Sequence, residues 1–248
     1  MKKLLFLGLI ISLCLGIAVP GYAASIGGAE TQRKGKIGVG LEQEFVFGRD
    51  LKHQSGVENV QSAAVEIDSI YRTLAKISYG LLDNLDVYVK LGTADAKVKG
   101  PITTVVEGER IYSAKTDNAF VWGIGAKATY ELVKDWFLGI DTQYLAHKHK
   151  GRSSSGASDW NADYTFQEWQ VAPYIAKRLG NFVPYGGVKY GNLKFVDKSG
   201  SGKTKFKADD NFGMFLGTDY KFGKNWKLNL EGRFVDETAM SIACTYRF

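Results

Sequence analysis

The chain has 248 residues but only two cysteines, three histidines and four prolines, and no long apolar run follows residue 19. Cys14 falls in the leading apolar run, which leaves Cys244 alone in the remainder, so no internal disulfide framework exists there. Without a second long apolar run, any passage through a membrane has to be made by strands. Charge of one sign is also scarce. The formal charge is +6, Lys2 and Lys3 supply two of it, and the rest is too dispersed to favour nucleic acid. The mean hydropathy of −0.16 decides nothing, because a barrel that alternates apolar and polar faces averages to near zero.

Glycine and aromatic residues are abundant. Twenty-nine Gly and 13% aromatics suit many strands joined by tight turns. Residues 1–23 read as a secretory signal: Lys2 and Lys3 precede an apolar run from Leu4 to Val19, Pro20 breaks it, and Gly21 and Ala23 are small residues before a cut. Leu13 before Cys14 is the wrong residue for lipidation, which asks for a small one. Residues 24–36 are polar and contain glycine, and are expected to form a mobile lead-in to one β domain over 24–248.

The alternation is clearest at the end of the chain. Trp226, Leu228, Leu230, Gly232 and Phe234 share one parity, and Lys227, Asn229, Glu231 and Arg233 the other. After a link at 236–238, Met240, Ile242, Cys244, Tyr246 and Phe248 oppose Ser241, Ala243, Thr245 and Arg247. The same period recurs from residue 37 onward and predicts ten strands, with eight or twelve as alternatives. One candidate, 164–177, changes parity, and a bulge near Gln167 or Glu168 would reconcile it. Short links near 83, 134, 180 and 224 alternate with long connections near 57, 107, 155, 203 and 237, and 97–116 has room for an extra hairpin.

Aromatics collect toward strand ends. Tyr79, Tyr130, Trp136, Tyr220 and Trp226 lie near the short turns, and Trp122, Trp169 and Phe234 toward the long connections, as two interfacial girdles would require. The opposite parity carries Glu42, Glu44, Arg72, Lys76, Asp86, Lys90, Lys127, Glu131, Asp141, Asp219, Lys221, Lys227, Glu231, Arg233 and Arg247. These are expected to line a lumen, since a charge at mid-bilayer costs about 2 to 4 kcal/mol. A soluble lipocalin-like barrel would reverse the two faces.

The closing strand, apolar or aromatic at Met240, Ile242, Cys244, Tyr246 and Phe248, resembles the C-terminal strand of bacterial outer-membrane β-barrels. The layout resembles the small outer-membrane barrel superfamily that includes the OmpA transmembrane domain, OmpX and the Opa adhesins. That resemblance implies an all-β, transmembrane, antiparallel up-and-down barrel in a Gram-negative outer membrane with both termini periplasmic. It also implies that the insertion machinery of that membrane reads the last strand, and that lipid and lipopolysaccharide surround the barrel.

Three functions are weighed. In the first the lumen charges neutralise one another and fill the interior, leaving a structural or surface-interaction role. In the second, inward Gly38, Gly40, Gly123, Gly125, Gly213 and Gly217 leave space for a narrow channel in which surplus Lys and Arg favour anions. In the third, Asp141 and His147 act with Ser153, Ser154 or Ser155 in a manner resembling outer-membrane hydrolases such as the omptins, although the paired catalytic carboxylates of that family match no residues here. His147 and His149 sit two apart, but a solvated rim explains them better than a metal does. Gly123, Gly125 and Ala128 fit a dinucleotide fingerprint only formally, since no helix follows. No cofactor, metal or catalytic residue is assigned. Lys-, Gly- and Ser-rich 148–158 and 198–207 suit solubility, lipopolysaccharide phosphates or an extracellular ligand.

Overall fold

The computed structural model describes residues 24–56, 60–104, 108–156, 158–199 and 202–248, so the signal expected over 1–23 lies outside the described residues. Twelve strand segments follow in order among them. They are β1 (Ile37–Ser55), β2 (Val60–Leu82), β3 (Leu85–Thr104), β4 (Gly108–Thr116), β5 (Ala119–Val133) and β6 (Trp136–Ser155), then β7 (Ser158–Lys177), β8 (Phe182–Ser199), β9 (Gly202–Ala208), β10 (Phe212–Phe222), β11 (Trp226–Phe234) and β12 (Thr238–Arg247). All pairings are antiparallel.

The twelve segments build two stacked rings. At the level of the short turns β1, β2, β3, β5, β6, β7, β8, β10, β11 and β12 pair in sequence, and β12 closes on β1 from Gly38↔Arg247 to Gly48↔Thr238. Above this ten-stranded ring the β11–β12 hairpin has ended. There β4 continues the path of β5, β9 continues that of β10, and β9 closes on β1 from Leu51↔Ala208 to Ser55↔Lys205. The upper ring therefore has eight strands. The ten predicted strands are the ten paths of the lower ring, and the two extra segments arise because two of those paths are broken, at 117–118 and 209–211.

Several long connections prove to be strand. The connections near 155 and 203 are the hairpins β6–β7 and β8–β9, 97–116 holds the extra hairpin it had room for as the top of β3 and β4, and the connection near 57 joins the tops of β1 and β2. Polar side chains there face water, so alternation continues without the apolar signal that marked the lower part. The bulge expected near Gln167 is absent: β7 keeps unbroken register with β6 from Ser158 to Lys177. Tyr164 and Phe166 simply point inward with Glu168 and Gln170, because the upper interior is apolar.

Orientation follows from burial. Trp226 and Leu230 are each 45% exposed, whereas Lys227 and Arg233 are each 3% exposed. An outward apolar belt thus surrounds an inward charged wall in the lower ring, which excludes the reversed soluble barrel. Tyr79, Tyr130, Trp136, Tyr220, Trp122 and Phe234 are also exposed on the outside, and Trp169 is half-buried.

Candidate functional site

The lower lumen is occupied by the chain's own residues 24–32. From the start of β1 the chain turns back at the mouth, where Gly35 N–H donates to Gly80 O at 2.8 Å and Gly80 N–H to Lys36 O at 3.0 Å. It then runs up the axis to Ala24, and Ala24 to Ala29 are all buried. The mobile lead-in expected for 24–36 is therefore corrected. Over its inner part the segment is an internal plug, because the polar wall supplies what its peptide groups require.

An extended peptide presents one N–H and one C=O per residue, and inside a barrel both need partners. The acids take the amides: Ser25 N–H donates to Glu44 at 2.8 Å, Ala29 N–H to Asp219 at 2.9 Å, Gln32 N–H to Asp86 at 2.9 Å, and Ile26 N–H reaches Glu231 at 3.3 Å. The lysines take the carbonyls. Lys90 donates to Ser25 O at 2.8 Å, Lys76 to Ile26 O at 3.1 Å, Lys127 to Ile26 O at 2.7 Å and also to Gly28 O, and Lys227 to Gly27 O at 3.3 Å. Gln143 and Gln170 grip Ala24 O at 2.9 and 2.6 Å, and Tyr174 reaches Ala29 O at 2.9 Å. Gly27 and Gly28 have φ of +63° and +107°, and a Cβ on Gly28 would strike Lys227 and Asp219, so this bend needs glycine.

Ion pairs link the same side chains. Arg72 bridges Glu44 at 2.7 Å and Glu168, Arg233 meets Glu44 at 2.5 Å, Lys90 meets Glu42 at 3.0 Å, Lys227 meets Asp219 at 3.4 Å and Lys127 meets Asp141 at 3.7 Å. Glu131 departs from the expected lumen set. It is exposed at the β5–β6 turn, where it accepts from Asp135 N–H at 3.0 Å, because the strand has already left the ring. Arg247 is only half-buried at the mouth, 3.8 Å from Glu30. Glu30 also meets Lys221 at 2.6 Å and Arg178 at 2.9 Å. Burial alone would raise its carboxyl, but these cations pull it from 4.5 down to about 2.

The glycines read as open space are covered. Tyr88 lies opposite Gly125 and Tyr185 opposite Gly217, as Tyr174 does opposite Gly139, a glycine outside that set, and in each pair a Cβ on the glycine would enter the tyrosine ring. Tyr88 then reaches Asp141 at 2.9 Å and Tyr185 reaches Glu231 at 2.9 Å. A cavity beside Gly27, Lys76, Tyr88 and Lys127 measures about 20 Å³, room for a single water.

At the shoulder between the rings, the β11–β12 link folds inward. Asp236 and Glu237 are buried against Arg49 at 2.8 and 3.2 Å and Lys189 at 3.0 and 2.5 Å, and Arg233 joins Glu237 at 2.9 Å. Above it the interior is mainly apolar, broken by buried His147 and His149 and by a group in which Tyr112 and Ser153 donate to buried Asp197 at 2.5 and 3.3 Å. Val46, Leu51, Val65, Ile67, Leu74, Val98, Leu145, Tyr164, Phe166, Leu193, Phe195 and Phe206 belong to one buried cluster. Phe166 and Phe195 lie 4.8 Å apart between ring centres.

The residues weighed for catalysis do not converge. Asp141, His147 and Ser153 lie six residues apart along β6, hence about 20 Å from one to the next. Ser153 instead bonds Tyr164 at 2.6 Å and Tyr112 at 3.2 Å. His147 and His149 are not a solvated rim: both are buried, their ring nitrogens Nδ1 and Nε2 face each other, and His147 stacks on Phe166 at 4.8 Å. Among the described residues no group of three or more His, Cys, Asp or Glu side chains gathers as a metal cage.

Residues 111–248 match the family described as outer membrane protein beta-barrel domain. The chain belongs to that family. Its outward belt and charged interior therefore place lipid outside and the plug at the axis, in an outer-membrane barrel. Among solved structures it is similar to the outer membrane protease OmpT from Escherichia coli, with a TM-score of 0.56 and 11% identity over 90% of this chain and 100% of that one. It is also similar to the translocator domain of the autotransporter NalP from Neisseria meningitidis, with a TM-score of 0.49 and 14% identity over 87% and 89% of the two chains. A third is the toluene transporter TodX of Pseudomonas putida, at 0.38 and 10% over 92% and 97%. At such identities the likeness to OmpT speaks for the fold alone.

Proposed function

We propose that this family member is a closed outer-membrane barrel with a structural and surface-interaction role, not a channel or an enzyme. The observation that carries this reading is that the lumen is blocked twice in series, by the 24–32 plug below and by the apolar cluster above. An ion entering from the short-turn end meets a wall whose charges are already committed to peptide groups. Beyond it lies a tightly filled, mainly apolar zone whose polar groups, Tyr112, Ser153 and Asp197, already bond one another.

The short turns and the Phe248 end then face the periplasm, whereas the Ala24 end of the described chain lies inside the barrel, contrary to the expectation of two periplasmic ends, and the eight-stranded ring stands outside the cell. Its outer face carries Lys97, Lys99, Lys115, Lys148, Lys150, Arg152, Lys194 and Lys198, all exposed. Such a collar suits the phosphates of lipopolysaccharide. The last strand shows Met240, Ile242 and Phe248 outward, with Cys244 and Tyr246 half-exposed, and is the segment proposed for recognition by the insertion machinery.

Planar-bilayer recording of the purified protein tests the closed lumen. No steady conductance is expected, and removing residues 24–32 alone leaves the bilayer silent because the upper block remains. Steady, salt-dependent channels in the unaltered protein would overturn the reading.

A further inference from the structure

The inner end of the plug sits in surroundings better matched to a chain terminus than to a peptide bond. Gln143 directs its amide nitrogen at Ala24 O and Ser25 O, at 2.9 and 3.0 Å, and Gln170 directs its own at Ala24 O at 2.6 Å. Those contacts fix which end of each carboxamide is nitrogen. The two carboxamide oxygens, each two bonds from a nitrogen that holds Ala24, are buried without a partner, and so is Oε2 of Glu168, the next inward residue above Gln170 on β7. Gln143 and Gln170 are cross-strand partners, so two unpaired acceptors flank Ala24. A third is on Glu168, whose other oxygen has Arg72 beside it and His147 Nε2 3.6 Å away. Such acceptors are costly unless a donor serves them.

A backbone amide at Ala24 supplies one N–H, whereas a terminal ammonium supplies three and a positive charge. Carboxylates are at hand for that charge, Glu44 at the neighbouring Ser25 and Glu168 joined to it through Arg72. Ala24 also belongs to the buried cluster that fills the upper lumen, so apolar side chains stand ahead of it. The sequence places Gly21 and Ala23 where a leader peptidase requires small residues, which puts the cut at the bond between Ala23 and Ala24.

We infer that the Gln143, Gln170 and Glu168 cage is a binding site for the α-ammonium group of Ala24, created when the leader is removed. In that hydrolysis water cleaves the peptide bond. Ala23 leaves as a carboxylate and Ala24 keeps its nitrogen, which takes up a proton to become the ammonium. Leader removal is then a condition for locking the plug, because an uncut chain carries no such group. The inference rests on the plugged lumen proposed above and adds a specific occupant for its inner end.

Two measurements on the protein purified from membranes test it. Mass spectrometry of the N-terminal peptide is expected to show a chain beginning at Ala24. An amine-acylating reagent is expected to label that α-amine about a hundredfold more slowly in the folded barrel than in the denatured chain, since access requires local opening. The Gln143→Leu, Gln170→Leu double variant and Glu168→Gln should each speed labelling about tenfold while the barrel keeps its folded, heat-modifiable gel mobility. A different first residue, equal labelling in folded and denatured protein, or labelling indifferent to all three substitutions would each overturn the site. A silent bilayer with a freely labelled amine would sink this inference alone and leave the closed lumen standing.

Discussion

The two halves of the lumen solve one problem with opposite chemistry. The lower ring has ten strands and an interior dominated by acids, lysines and arginines, with one apolar cluster around Ile26, Phe137, Tyr174, Val183, Tyr185 and Phe215. The upper ring has eight and an interior mainly of Leu, Val, Phe and Tyr, with His147, His149, Ser153 and Asp197 among them. Barrel diameter grows with strand number, and about eight strands is the width that side chains alone can fill. Above the shoulder, Phe166, Phe195 and Phe206 therefore close the space without help. Below it the wider ring needs an occupant, and the one available is a peptide whose amides and carbonyls require carboxylates and ammonium groups. On the closed-barrel reading proposed above, the charge of the lower wall is set by what it encloses rather than by a path for ions.

The largest effect should come from breaking the charged half. Arg72 is buried between Glu44 and Glu168, and Arg72→Leu leaves Glu168 without its arginine in the barrel interior. A loss of about 3 to 5 kcal/mol is expected in urea unfolding in lipid vesicles, and adding Glu168→Gln should recover part of it. No recovery in the double variant would mean that Arg72 acts by filling space, as the upper half does.

The upper half should fail differently. Phe195→Ala removes a ring that meets Tyr164, Phe166 and Phe206 at centroid distances of 5.9, 4.8 and 5.7 Å. A loss of about 3 to 4 kcal/mol is expected, unchanged by salt or by any charge substitution. Salt-dependent destabilisation would show that this cluster is not the dry fill described above.

The sequence made one of these halves far more legible than the other. In the lower ring the belt and the wall are distinct in most strands, as in Trp226 to Phe234, so strand paths and facing could be read directly. They are blurred in β7, β8 and β10, which turn Tyr174, Val183, Tyr185 and Phe215 inward. In the upper ring apolar residues point inward and polar ones meet water, the reverse of the rule just learned. Tyr164 and Phe166 consequently looked like a register error, and the strand tops looked like loops. The plug was hidden for another reason. Residues 24–36 have no alternation of their own, and their order comes wholly from side chains distant in sequence. The available signal was Gly27 and Gly28 together; the lumen charges nearly balance one another, so they did not ask for an occupant.

Acid should separate the halves without a mutation. Glu30 anchors the outer end of the plug to Lys221, Arg178 and Arg247, and its carboxyl lies at about 2 in the folded barrel against 4.5 ordinarily. A depressed carboxyl stabilises fully above its unfolded value and loses that contribution as pH falls through the folded one. Between pH 4.5 and 2 the plug should therefore lose on the order of 2 to 3 kcal/mol of anchoring. Hydrogen exchange of 24–32 should accelerate over that range while the β7–β8 amides beside Phe195 stay protected. Glu30→Gln should remove the pH dependence, and a Glu30→Gln plug that still loosens in acid would assign it to other carboxyls.

The smallest effect tests the join between the halves. Val235, at the β11–β12 link, has a φ of 85° and an exposed side chain, a conformation that a β-branched residue adopts at a cost. It is held there because the next two residues, Asp236 and Glu237, are fixed by Arg49, Lys189 and Arg233 at the point where the ring narrows. Val235→Gly removes the Cβ conflict but gives the unfolded chain more freedom, so a net gain of only about 0.5 to 1 kcal/mol is expected. A higher urea midpoint with an unchanged slope would locate the strain in the turn. A lower midpoint would mean that the Val235 side chain stabilises the shoulder from outside, in which case the inward ion pairs are not by themselves enough to hold the ten-stranded ring against the eight-stranded one.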